Sequence, residues 1–467
     1  MAERFEMLPA QDATLLRVQT QDAPLNIGGV CILEGAPLRD ESGALRLDAL
    51  RRHVLVQLEH TPRFRQVLQA LPLGQGLGWF DDERFDVTRH VRSATVPDPG
   101  GKAELRQLVA RLLEEPLDPT HPMWELWLID GMPDDRVGLV FKVSHVLADG
   151  MAVVDVAMRM LDFQPRDHDA EPSAWSPTSS PAPVPLLVRG VAERVRRAWD
   201  GAWEAGTWLL DPRVAASALV GVARLATSGT GLAPALPITQ PVGSRRDMAW
   251  TRLAWADVIE VKRAASVTVN DVVLTVVAGA LSRYLGRSGI SPEGRAPRVL
   301  VPVSIHGDTP GEVANRFSMV VTNLPMGPAD PLERLQEVHA DMERHKLSAA
   351  TSAWSSLFSL VDLAPPWLLS TAGPAILRRQ PFVNLAVTNL PGSPVPLYLL
   401  GARLLEMYPF IGVTGNLGAI IGVLSYEDAL GLSITVDADV ISDVDALLDD
   451  CKHALQELVD SIASTDT

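Results

Sequence analysis

Between Gln164 and Pro185 the apolar periodicity of the preceding residues gives way to a run of proline, serine and charge with little to pack. That break divides a chain of 467 residues, too long for one ordinary core, into two halves. Length alone favours two domains of roughly 150 to 230 residues each. The expected division is an N-terminal domain over 1–170, a Pro/Ser-rich linker with connecting helices over 171–245, and a C-terminal domain over 246–467.

Within the first half, Ile27 to Leu33 reads as a buried strand and Leu47 to Glu59 as a helix. Lys102 to Glu114 reads as a second helix, with Leu105, Leu108, Val109 and Leu112 on one face and Pro116 stopping it. Two strands follow, Trp124 to Ile129 and Val137 to His145, joined by the turn-rich Asp130-Gly131-Met132-Pro133-Asp134-Asp135, and Met151 to Leu161 is again helical. In the second half the pattern gives a helix over Asn270 to Leu285 and strands at Arg298 to Ser304, Phe317 to Leu324 and Asn384 to Leu390. The pentapeptide Val321-Thr322-Asn323-Leu324-Pro325 recurs as Val387-Thr388-Asn389-Leu390-Pro391; its differing flanks make it two similar strand exits, not a repeat.

Composition excludes several functions. A net charge of −16 and a pI near 5.1 oppose a phosphate backbone, so nucleic acid is not an expected partner. The two cysteines, Cys31 and Cys451, lie far apart without Cys/His spacing, which argues against a disulfide framework or zinc site and fits a reducing compartment. No HExxH or carboxylate cluster suggests any other metal. The residues after Met1-Ala2-Glu3-Arg4 are too polar for a signal peptide, so the chain is expected in the cytoplasm and not secreted. Val272 to Leu281 and Ile411 to Leu424 are too short or too Gly-interrupted to span a bilayer roughly 30 Å thick and read as core.

Gly28-Gly29 and Gly74-Gln75-Gly76-Leu77-Gly78 lack the context of a phosphate loop and read as turns. Trp124-Glu125-Leu126-Trp127 reads as core strand. For Leu186 to Leu225, with its Arg and Trp residues, two readings stand: a basic amphipathic surface resting on anionic lipid, or a solvated face with Trp packed inward. Arg245-Arg246 likewise suits phosphates or nearby carboxylates.

Chemistry concentrates in Phe141-Lys142-Val143-Ser144-His145-Val146-Leu147-Ala148-Asp149-Gly150, where an apolar strand delivers a histidine into a turn closed by Asp-Gly. Strand alternation sends Ser144 and His145 to opposite faces, which disfavours a Ser-His hydrolase pair. Apolar neighbours would keep a His145 imidazole neutral, the state that a general base requires. Asp149, ahead of Gly150 and a helix, suits a cap or a salt bridge that fixes the turn. Asn270-Asp271, taken alone, suits an N-cap followed by an acidic first turn.

Ser144-His145-Val146-Leu147-Ala148-Asp149-Gly150 resembles the HHxxxDG motif of CoA-dependent acyltransferases and condensation domains, with serine at the first position. The wider pattern is similar to the bacterial wax ester synthase/diacylglycerol acyltransferase family. It is carried by Leu8-Pro9-Ala10-Gln11-Asp12-Ala13, His121-Pro122-Met123-Trp124 for the family's Pro-Leu-Trp, Asn270-Asp271-Val272-Val273-Leu274, and Thr388-Asn389-Leu390-Pro391-Gly392 through Pro396-Leu397-Tyr398 and Gly401-Ala402. The resemblance implies an α/β fold of two chloramphenicol acetyltransferase-like domains, each a mixed sheet flanked by helices, with an active-site tunnel at their interface.

It further implies that His145 is the general base and Asn270 a donor near the reacting carbonyl, with Asp149, Gly150 and Asp271 supporting the site. The reaction implied is transfer from a long-chain acyl-CoA co-substrate, with no cofactor, to diacylglycerol or a fatty alcohol, giving triacylglycerol or wax ester. The alternatives are transfer to another alcohol or amine, and a noncatalytic lipid or acyl-CoA binder arising from Ser144. Greasy substrates imply peripheral contact with a membrane or lipid droplet. Oligomeric state is not encoded in any recognisable pattern.

Overall fold

A computed structural model describes residues 6–8, 12, 16, 24–72, 76–147, 150–167, 171–178, 232–305, 316–327, 330–347, 375 and 378–465. In chain order the first half holds β1 (Glu6–Met7), β2 (Asn26–Glu34), α1 (Leu47–Gln57), β3 (Gln66–Ala70), β4 (Leu77–Asp81) and α2 (Val87–His90). It continues with β5 (Val91–Thr95), α3 (Lys102–Glu114), β6 (Trp124–Asp130), β7 (Arg136–Ser144) and α4 (Gly150–Arg159). The second half opens with β8 (Arg246–Ala254), α5 (Trp255–Ala264), α6 (Val269–Arg287), β9 (Arg298–Ile305), β10 (Arg316–Asn323) and α7 (Pro331–Leu347). It closes with β11 (Leu385–Leu390), β12 (Tyr398–Leu399), β13 (Ala402–Ile411), β14 (Ala419–Tyr426), β15 (Ala429–Asp437) and α8 (Val444–Thr465).

These strands form two six-stranded mixed sheets, ordered β12-β13-β2-β7-β6-β5 and β10-β9-β11-β14-β15-β8, with a small β1-β4-β3 sheet beside the first. The α/β class and the paired mixed sheets agree with the expectation from sequence. In the first sheet only β5 and β6 run parallel; in the second, β11 is parallel to both β9 and β14. β12 and β13 belong to the second half in sequence but complete the first sheet, so the chain crosses back after β11. A Cβ on Gly431 of β15 would lie 2.2 Å from the Met407 carbonyl oxygen of β13, so the two sheets meet there backbone to backbone.

Each sheet carries a core. α6 is apolar on almost every face because α5, α7 and α8 enclose it: Val272, Leu274, Val277, Ala278 and Leu281 are all buried. Its many β-branched residues are modest helix formers, so packing, at about 1.5–3 kcal/mol per buried Val or Leu, sustains it. Val272 to Leu281 is thus core, as expected. Among the described residues no single helix is long and apolar enough to cross a membrane; the bent α5–α6 pair passes by composition alone.

Two readings change. Gly28 and Gly29 lie inside β2, not in a turn; a Cβ on Gly28 would sit 1.8 Å from the Phe141 carbonyl oxygen, so glycine is what lets β2 approach β7. Residues 171–178 of the expected linker do pack: the Trp175 ring meets Phe85 edge-on at 5.9 Å and lies under the Arg65 guanidinium at 5.2 Å. The Ser173 and Thr178 amides donate to Glu59 and Asp81. Both Thr-Asn-Leu-Pro segments do leave strands, as expected, and at opposite ends of the sheet, because β10 is antiparallel and β11 parallel to β9. Leu186 to Leu225 lies outside the described residues.

Candidate active site

Ser144 is the last residue of β7, opposite Asn26 of β2, and His145 stands one residue beyond the strand, in the turn His145–Leu147. Main-chain bonds to two neighbouring strand ends fix that turn. The His145 amide donates to the Leu25 carbonyl just before β2 at 2.9 Å, and the Ser144 amide donates to the Met123 carbonyl just before β6 at 2.9 Å. The Leu147 amide closes on the Ser144 carbonyl at 2.9 Å. β13 ends at the same place, where the Gly412 amide donates to the Asn26 carbonyl at 2.8 Å. His145 therefore marks a convergence of four strand ends, one of them supplied by the second half of the chain.

Its side chain is half-buried while Ser144 is 2% exposed. The Ser144 hydroxyl accepts the Val146 amide at 3.4 Å, a weak bond at the long end of the hydrogen-bond range. Serine at the first motif position thus faces inward and helps to close the turn. Gly150 is the first residue of α4; Ala148 and Asp149 lie outside the described residues.

Asn270 and Asp271 sit in the first turn of α6, but the N-cap is Thr268, not Asn270. The Thr268 hydroxyl accepts the Asp271 amide at 3.2 Å and the Asp271 carboxylate accepts the Thr268 amide at 2.9 Å, a complete capping box. Thr268-Val269-Asn270-Asp271 carries that signal in its spacing; the alternative cap overlooked it. Asp271 is 1% exposed, and its Oδ2 also accepts from His339 Nδ1 of α7 at 2.8 Å. Nothing in the sequence singles out His339. His145 and Asn270 belong to different halves, and no hydrogen bond among the described residues joins them.

The expected core strand around Trp124 is fully formed. Trp124 is 1% exposed, its indole donates to the Phe64 carbonyl at 2.8 Å, and its ring stacks on His90 at 4.6 Å. His90 Nδ1 donates to the Trp124 carbonyl, and burial drives its pKa below the ordinary value. In the neighbouring His121, Arg89 donates to Nε2 at 3.0 Å, so Nδ1 carries the proton that bonds Asp82. Beneath the site, Lys142 has no exposure; its ammonium reaches Glu125 at 3.0 Å and the Leu112 and Glu115 carbonyls at the end of α3.

Between the halves, a groove of about 390 Å³ is lined by Arg106, Glu114, Arg245, Arg246 and Asp247 among others. Arg245 pairs with Asp439 at 2.8 Å, and the buried Arg246 binds the Gly243 carbonyl and faces Asp437 at 3.8 Å. Of the two readings of Arg245-Arg246, the structure shows the carboxylate one. Burial pushes the Cys451 thiol up to about 12, so it stays protonated and is no nucleophile.

Residues 8–273 match the wax ester synthase/diacylglycerol acyltransferase catalytic domain, and residues 313–459 match the WS/DGAT C-terminal domain. The chain belongs to this family. It is accordingly an acyltransferase. A Mycobacterium tuberculosis protein named for diacylglycerol O-acyltransferase activity is 30% identical over 474 residues, covering 98% of this chain and 90% of its own. A second protein so named from the same organism is 29% identical over 467 residues, with 97% and 95% covered. Among solved structures, the wax ester synthase/diacylglycerol acyltransferase from Marinobacter aquaeolei VT8 superposes with a TM-score of 0.68 at 25% identity, covering 98% of this chain and all of that one. The starter condensation domain of rhizomide synthetase, at 13% identity and a TM-score of 0.59 over 98% of this chain and 94% of that one, shares the fold. The two-domain α/β fold of this WS/DGAT chain is thus also found in a condensation domain.

Proposed function

We propose that this WS/DGAT chain transfers a long-chain acyl group from acyl-CoA to the hydroxyl of diacylglycerol, and to fatty alcohols, with His145 as general base. The observation that carries the reading is the placement of His145: a half-buried residue on a turn pinned by main-chain bonds where β2 and β6 begin and β7 and β13 end. His145 takes the hydroxyl proton as the oxygen attacks the thioester carbon. The C–O bond forms, the C–S bond breaks, and the proton passes to the departing CoA thiolate, so no acyl-enzyme is needed.

Asn270 donates to the carbonyl oxygen as charge builds there. Asp149 and Gly150, which close the motif, take the supporting role, and Asp271 holds the turn that bears Asn270. A tunnel between the halves brings the two substrates together. No resident cofactor enters this scheme, since the thiolate absorbs the proton. The acceptor's insolubility brings the enzyme to a membrane or lipid-droplet surface.

Thiol release from palmitoyl-CoA, measured with diacylglycerol, with hexadecanol and with no acceptor, tests the reading. Release only with an acceptor is expected, and His145→Ala should lower it by about 10² to 10⁴-fold with the melting temperature unchanged. Equal turnover by wild type and His145→Ala would rule out the base; acyl-CoA binding without release under any acceptor would rule out transfer to these alcohols.

A further inference from the structure

We infer that His339, on α7, is a positioning residue that fixes Asn270 for acyl transfer by clamping the carboxylate of Asp271. The inference rests on the assignment of Asn270 above. Asn270 sits between Val269, the first residue of α6, and Asp271, so its direction is set by the geometry of that turn. Asp271 controls the turn because its Oδ2 accepts both the Thr268 amide at 2.9 Å and His339 Nδ1 at 2.8 Å. A carboxylate is only an acceptor, so Nδ1 must carry the hydrogen.

The clamp has little redundancy. Asp271 is 1% exposed, and its other oxygen, Oδ1, has no partner among the described residues. Oδ2 therefore carries the side-chain bonds of a buried charge, and His339 is the donor that comes from outside α6. Without that donor the carboxylate must shift to regain solvation, and the capping box moves with it.

α7 itself is firmly placed. Leu335, Val338 and Met342 are fully buried in the second core. Two residues past His339, Asp341 accepts from the Thr322 hydroxyl at 2.6 Å and the Asn323 amide at 3.1 Å at the end of β10. α7 thus ties the start of α6 to the end of β10, and the His339–Asp271 bond transmits that rigidity to Asn270.

A double-mutant cycle tests this with acceptor-dependent thiol release as the readout. His339→Ala should lower kcat by about tenfold or more, leave KM for acyl-CoA and for the acceptor unchanged, and be largely rescued by His339→Gln, which restores an N–H donor. In an Asn270→Ala background, His339→Ala should have no further effect on kcat. Wild-type kcat in His339→Ala, or effects of the two substitutions that multiply, would overturn the inference. If the alanine variant does not fold, His339→Phe, which keeps a ring without the donor, takes its place in the cycle. Amide hydrogen exchange over residues 269–272 is a readout independent of activity. Faster exchange in His339→Ala is expected, and unchanged exchange refutes the clamp even in a preparation where wild type transfers nothing, the result that would instead defeat the proposed function.

Discussion

The two turns that present the candidate chemistry are built in opposite ways. The turn bearing His145 hangs on main-chain bonds to Leu25 and Met123, and among the described residues the one side-chain contribution is the long bond to the Ser144 hydroxyl. The turn bearing Asn270 hangs on side chains: the Thr268 hydroxyl, the Asp271 carboxylate and the His339 ring. A turn held by the backbone of neighbouring strands is expected to tolerate a change of side chain within it, serine at the first motif position included. A turn held by side chains makes each of them indispensable.

That contrast can be broken at several points. The largest effect is expected below the first turn. Lys142→Ala would remove the buried ammonium from the half-buried Glu125 carboxylate, which keeps the Trp127 indole, and from the carbonyls at the end of α3, costing about 3 kcal/mol, read as a lowered denaturation midpoint. A small cost would mean that the β2–β7–β6 ladder alone sustains the His145 turn. Asp271→Ala, which removes the capping box and orphans His339, should cost about 2 kcal/mol in the same measurement. If it costs nothing, the second turn is held by backbone too.

A pH-dependent effect comes next. Burial keeps the His90 pKa below its ordinary 6.5, so in the interval between the two values the unfolded chain holds more protons than the folded one. Stability therefore rises with pH across that interval and falls on acidification. His90→Phe, which retains the stack between Phe85 and Trp124, should flatten the slope of melting temperature against pH below 6.5. An unchanged slope would assign the acid sensitivity to other groups. The smallest effect belongs to Ser144→Ala, worth less than about 1 kcal/mol for one long hydrogen bond and leaving transfer close to wild type. A large loss of transfer would show that this turn, too, depends on its side chains.

Much of this was legible in the chain. Lys102 to Glu114 is the helix that its apolar spacing predicts, with the same ends, because one clean 3.6-residue stripe is closed by Pro116. The hairpin between Trp124 and Ser144 is likewise legible, since Gly131, Asp134 and Asp135 supply the positive φ angles that its turn requires. The family motifs are what single out His145 and Asn270 as candidates. Thr268 is legible as a cap from its spacing to Asp271, whereas Trp175 lies in a Pro/Ser-rich stretch whose composition says nothing of where one large ring can settle.

By itself, then, the sequence determined the local elements, the two-sheet class and the family, because periodicity, turn residues and short motifs are properties of neighbours in the chain. Tertiary structure decided that β12 and β13 return to the first sheet, that β13 ends beside His145, and that His339 reaches Asp271 across 68 positions. Those pairings depend on which edges and faces remain unfilled once the rest has packed. No pattern local to either partner records that.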